Sequence, residues 1–212
     1  MAGRVVLVAA KAFADRWWIP STAILAQIRP GAQVKVRAVE LEADGGADLY
    51  TSRPIWVSVD TSVGEVVEGP ITRSSLDRDG YRKGERLRTT IDRLCDVVLV
   101  SEEGRPEFNQ ERARFAIGKR VLVGITDESR GGEALGQRQF VGVLTSVDPV
   151  KGLTLALSGG ETYNLPPDLT TWEEAAPGKY RLRSTGEVVV DPDYICTWVA
   201  SPNEDGSYPQ TD

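Results

Sequence analysis

Protein chemistry rests on a few side-chain types, and this chain is short of several of them. It has no histidine and only two cysteines. Without imidazole there is no Ser-His-Asp or Cys-His relay and no histidine-ligated metal. Two thiols alone cannot complete a four-thiolate zinc site or hold an iron–sulfur cluster. Acid–base work would fall to carboxylates, and two close pairs stand out. Asp191 and Asp193 flank Pro192, and Asp77 and Asp79 lie in Leu76-Asp-Arg-Asp-Gly80. Alternate loop carboxylates can hold a hard cation such as Ca²⁺ or Mg²⁺. Neither segment continues into the remaining ligand positions, and turn chemistry accounts for both, since Asp caps its own backbone and Gly supplies positive φ. A carboxylate-dependent enzyme would need two or more of Asp148, Asp168, Asp191 and Asp193 to converge on one pocket.

Other reactive elements are equally sparse. Gly131-Gly132 and Gly159-Gly160 lack the Lys-Ser/Thr and the following helix of a phosphate loop. Cys95 sits in an apolar run beside Arg93, which suits a buried inert thiol better than a nucleophile. Ser74-Ser75 and Ser184-Thr185 have no base near them in sequence. No catalytic residue, metal ligand or cofactor is expected.

Binding chemistry is better represented. From Arg73 to Arg93 there are seven basic residues (Arg73, Arg78, Arg82, Lys83, Arg86, Arg88, Arg93) against Asp77, Asp79, Glu85 and Asp92, a local net of +3. Arg82, Lys83 and Arg86 are candidate contacts to nucleic acid or to a protein. Tyr81 is the only aromatic among them, which is thin interleaving for stacked bases. A charged edge strand that resists association explains the run equally well. Trp17 and Trp18 are adjacent, so on an extended segment they face opposite sides. They read either as a core anchor with an interdomain contact or as a protein-binding hot spot. Trp172, on a loop after Pro166-Pro167, is a third candidate partner contact.

These residues sit in 212 positions, 41 % hydrophobic and 26 % charged, with a net charge of −6. That composition suits a globular protein of one large or two small domains. The acidic balance argues against duplex nucleic acid. No stretch approaches a membrane span or a secretory core. With its cysteines far apart, the chain reads as cytoplasmic. The clearest composition break is 101–110, read as a linker between a 1–100 domain and a 111–200 domain, with a polar 201–212 tail read as disordered in isolation. Basic and acidic residues number 15 and 16 in 1–108, against 10 and 15 in 109–212, so most of the acidity lies in the second half.

In the first half, Val5–Val8, Gln33–Glu42, Ile55–Val59, Glu65–Ile71, Arg82–Thr89 and Val97–Val100 read as strands. Thr61–Gly64 reads as a hairpin connection, and Asp44-Gly45-Gly46 as a turn. A short helix is predicted over 23–28, capped at Ser21-Thr22, and one helical turn capped by Thr90. The second half opens with a helix over 109–117, ended by Gly118. Seven strands follow: Arg120–Thr126, Arg138–Val147, Gly152–Leu157, Glu161–Leu165, Lys179–Arg183, Glu187–Val190 and Tyr194–Ala200. The expected class is mainly β (α+β): two small β-rich domains, the second a small barrel with an N-terminal helix and a C-terminal hairpin.

Phe140, Gly142, Leu144, Asp148, Leu153 and Leu155, following a helix and the strand Arg120-Val-Leu-Val-Gly124, resemble the first signature of Sm-like domains. The resemblance implies a closed barrel in which Gly142 lets a long strand bend, with Phe140, Val143, Val147, Leu153 and Leu155 inside. It does not carry the family's RNA site. The base-contacting Asn position is Gly152 here, and the Arg-Gly pair of the second signature has no counterpart in 161–168. Ile55-Trp-Val-Ser-Val59, Tyr81-Arg-Lys-Gly-Glu-Arg86 and Ile91-Asp-Arg-Leu-Cys-Asp96 resemble small bacterial β-rich domains, some related to toxin-immunity proteins. The resulting expectation is a non-catalytic protein-binding protein, with a basic toxin as one form of partner. The alternative is an RNA-binding role through the barrel and the 73–93 segment.

Overall fold

The computed structural model describes residues 4–41, 49–76, 78 and 80–202, and the chain divides into two compact units at Asn109/Gln110. The Asp44-Gly45-Gly46 turn, the Asp77/Asp79 pair and the tail beyond Pro202 lie outside the described residues. Both units are mainly β. Among the described residues no helix is long and apolar enough to cross a membrane.

The first unit runs β1 (Val5–Leu7), a 3-10 turn (Ala10–Phe13), α1 (Thr22–Leu25), β2 (Gln33–Glu40), β3 (Arg53–Ser58), β4 (Thr61–Val63), β5 (Val66–Ser74), β6 (Arg86–Thr90), a 3-10 turn (Ile91–Arg93) and β7 (Asp96–Val98). Strand order is β1-β2-β3-β5-β4, with β6 also on β5 and β7 also on β2. Ser21 caps α1, its Oγ accepting the Ile24 N–H at 3.3 Å. Thr90 precedes its turn, but its side chain makes no cap bond. The stretch expected to be a mere connection at Thr61–Gly64 is strand β4 up to Val63. Val34, Val36, Ala38, Ile55, Val57, Val67, Ile71, Leu94 and Val97 form the core with Trp18. β5 pairs with β4 and β6 over Val66–Pro70 and joins β3 only from Ile71 to Ser74, and its backbone crosses the end of β3 just before the change. A Cβ at Gly69 would stand 1.7 Å from the Ser58 carbonyl oxygen, so only glycine permits the crossing. Of the stretch 101–110 read from composition as a linker, 101–109 belong to this unit and fold back on it. Gly104 turns the chain at positive φ, the Glu107 N–H donates to the Leu99 carbonyl at 2.9 Å, and Arg29 holds both the Val100 carbonyl and Glu107.

The second unit runs α2 (Gln110–Phe115), β8 (Arg120–Glu128), β9 (Ala134–Asp148), β10 (Gly152–Leu157), β11 (Thr162–Leu165), β12 (Trp172–Glu174), β13 (Lys179–Arg181), β14 (Val188–Val190) and β15 (Tyr194–Ala200). Its sheet has the order β11-β10-β9-β8-β15-β12, and β13-β14 is a separate hairpin. β15 runs parallel to β8, whereas the other pairs are antiparallel. No ladder joins β11 to β12 among the described residues, so the hydrogen-bonded sheet has two edges.

One sheet face buries Val121, Val123, Ile125, Leu144, Leu153, Leu155, Leu165 and Cys196. The register shifts between Thr154 and Leu155, so Leu144 takes the buried position and Val143, expected inside, is 37 % exposed. The hairpin covers the other face, where Leu182, Val189 and Tyr180 pack on Leu122, Val141 and Ile195. Gly142 lies against β10: a Cβ there would come within 3.0 Å of Leu155 Cβ.

Candidate functional site

Strand β2 has a neighbour on each side, β7 and β3 meeting it together at Lys35. Its polar residues alternate with Val34, Val36 and Ala38, so Gln33, Lys35 and Arg37 share one face. That face is covered rather than solvated. Lys35 Nζ lies 3.1 Å from Asp96 Oδ2, with the side chains 2 % and 0 % exposed. The other Asp96 oxygen accepts the Val97 N–H at 2.8 Å. The Trp56 ring has Lys35 Nζ and the Arg73 guanidinium each 5.3 Å from its centroid. Arg37 lies 4.1 Å from the Trp17 centroid and donates to the Ser52 carbonyl and hydroxyl. Two charged side chains of β2 are thus held by an ion pair, hydrogen bonds and cation–π contacts. Of Lys35, Arg37 and Arg73, only Arg73 is exposed. The readable signal for this cluster was Asp96, a lone charge within Leu94-Cys-Asp-Val-Val-Leu-Val100. Burial of Lys35 was not readable, because alternation in a strand usually marks a wet face.

The structure separates the three basic candidates. Arg86 donates to Asp60 at 2.8 Å and to Glu68 at 3.2 Å, and these bonds, Asp60 first, raise its pKa. Its charge is matched within the unit. Arg82 and Lys83 are exposed on the loop between β5 and β6, where Glu85 accepts the Arg82 backbone N–H. Nearby, Arg78 pairs with Glu40 at 2.6 Å.

Of the two readings open for Trp17 and Trp18, the structure favours the core anchor over the hot spot, and Trp172 too is buried. Trp17 and Trp18 are each 5 % exposed and Trp172 is 1 % exposed, so none offers a surface to a partner. The Trp pair is not on an extended segment. The 3-10 turn at Ala10–Phe13 carries the Trp17 N–H to the Phe13 carbonyl and stacks the two rings 4.8 Å apart, while Trp18 enters the core. Trp172 begins a strand, not a loop, and lies 5.7 Å from the Tyr194 ring. The buried Arg112 of α2 donates to the Leu169 and Trp172 carbonyls at 2.9 and 2.8 Å, fixing that segment.

The four carboxylates Asp148, Asp168, Asp191 and Asp193 each hold different backbone N–H groups. Asp148 Oδ1 accepts the Lys151 and Val150 N–H groups in the β9–β10 turn, and those bonds hold its pKa below the ordinary value. Asp168 accepts the Thr170 N–H. Asp191, at φ 46°, accepts the Gly178 N–H, and Asp193 accepts the Arg120 N–H. Among the described residues no group of three or more Cys, Asp or Glu is placed to hold a metal ion. Cys95 and Cys196 are buried thiols outside any disulfide, and burial pushes Cys196 up to about 12. Arg138 binds Asp127 through both carboxylate oxygens at 2.8 and 2.9 Å, and this pair faces Tyr163, whose phenol burial pushes up. No protein-family model, curated protein or solved structure matches the chain.

Proposed function

We propose that this chain is a non-catalytic binding protein whose partner is another protein with a basic surface. One observation supports the reading: Asp148, Asp168, Asp191 and Asp193 hold backbone N–H groups and Cys95 and Cys196 are buried, while other acidic side chains remain outside. Glu133, Glu161, Glu173 and Glu187 of the second unit are all exposed. Such a surface steers and selects a cationic partner by electrostatic complementarity. A nucleic-acid-targeting toxin is a partner of that kind, and neutralising one in the cytoplasm is the specific form of the proposal. The second unit is read as a variant of the Sm-like barrel without its RNA site. Helix-then-strand order and the close approach at Gly142 support that, and the parallel β15 is the departure.

The test is affinity capture from the source cells at graded salt, with wild-type chain and with Glu133→Lys/Glu161→Lys/Glu187→Lys. A basic protein retained by the wild type and lost by the variant is the expected result. Salt-sensitive binding of single-stranded RNA, abolished by Arg82→Glu/Lys83→Glu, would replace this reading with an RNA-binding one.

A further inference from the structure

Lys35 and Asp96 bring an amine and a carboxyl group together where water does not reach. The two residues are register partners on the antiparallel strands β2 and β7, so the ladder itself sets their side chains on one face. Nζ stands 3.1 Å from Oδ2, one bond from the carbon that an amine would attack. Groups held this close react at effective concentrations far above any reached in solution. Val34, Val36, Cys95 and Val97 are buried on either side along the two strands. Trp56, itself 5 % exposed, is the register partner of Lys35 on β3. Desolvation offsets much of the attraction within such an ion pair, which favours a product that carries no charge.

We propose that Lys35 and Asp96 become joined by an amide bond between Nζ and Cγ, formed after folding with loss of one water. One ammonium proton passes from Nζ to Oδ2, leaving a neutral amine and a carboxylic acid. The nitrogen lone pair attacks Cγ, and the π electrons of the carbonyl move onto Oδ1. The Val97 N–H, which donates to Oδ1 at 2.8 Å, holds the charge that develops there. A second proton moves from nitrogen to the Oδ2 hydroxyl, which leaves as water with its bonding pair while the carbonyl re-forms. The three ammonium hydrogens end as one amide N–H and the two hydrogens of water, and no oxidant or cofactor enters. The chain folds with the ion pair in place, and the amide forms from it on ageing. It ties β2 to β7 and closes a covalent ring over 35–96.

Intact-mass spectrometry of the full chain, freshly purified and after incubation for days, tests this. A fraction lighter by one water, growing with time, is the expected result. Its tryptic digest should contain a branched peptide joining the segments that hold Lys35 and Asp96. Lys35→Arg keeps the positive charge but offers no nucleophilic amine, so its mass should stay constant. A wild-type mass that never changes overturns the proposal. So does a loss of water that persists in Lys35→Arg, or one that maps as a cyclic imide to Asp44-Gly45, Asp79-Gly80 or Asp205-Gly206. Should Lys35→Arg fail to fold, the wild-type peptide map alone decides, since only the proposed bond gives the branched peptide.

Discussion

At the scale of single residues, charge burial dominates the first unit. Lys35 and Asp96 are almost fully withdrawn from water and compensate one another. Removing one leaves the other uncompensated, which costs about 3–5 kcal/mol, whereas replacing both by apolar side chains is often neutral or better. Lys35→Met and Asp96→Leu should therefore each lower the urea midpoint strongly, and the double variant should recover most of the loss. A double variant no better than the worse single would show that the pair is not coupled. Cys196 gives a pH signature in the other unit. Its folded pKa is raised from 9.0 to about 12 by burial. The stability gained by keeping the thiol neutral is complete below pH 9 and drains away as pH rises toward 12. Urea midpoints followed over that range should fall more steeply for the wild type than for Cys196→Ala.

At the scale of elements, close backbone approaches decide which strands can meet. Gly152 opens β10 at φ 102°, and a Cβ there would stand 2.1 Å from the Leu165 carbonyl oxygen in β11. Gly152→Ala should cost more than about 2 kcal/mol through strain and displaced pairing. Chemical denaturation measures the loss, and a cost below 0.5 kcal/mol, the ordinary range for surface changes, would refute the packing account. Strand spans in this unit were legible because apolar alternation and turn residues coincide: Gly152–Leu157 and Tyr194–Ala200 match the structure end to end. Pairing was not legible. Nothing in Tyr-Ile-Cys-Thr-Trp-Val-Ala200 announces a parallel neighbour, since a strand's periodicity records its faces and not its partner. β12 escaped notice because three residues give no period to read. The candidate site was legible only in part. Exposure of Arg82 and Lys83 followed from composition, whereas burial of Trp17 followed from a 3-10 turn that its local sequence does not signal.

At the scale of the whole molecule, the two units have separate apolar interiors, one built on β2, β3 and β5 and the other on β8, β9 and β10. Residues 1–109 and 110–212 expressed separately should each unfold in a single cooperative urea transition. A half that gives only a gradual loss of signal would mean that its core depends on the other. The acidity sorts by unit as well, with a net of −1 up to residue 108 and −5 beyond it. Mixing the halves with a cationic partner should therefore reproduce the full chain's salt dependence with the second half alone. The parallel seam between β8 and β15 also sets an order of events during synthesis. β8 to β11 can pair with near neighbours as they leave the ribosome, but β8 keeps one flank open until β15, far along the chain, has been made. Until then that flank is a vacancy any passing strand could fill, so the nascent unit is most exposed to mispairing just before β15 arrives.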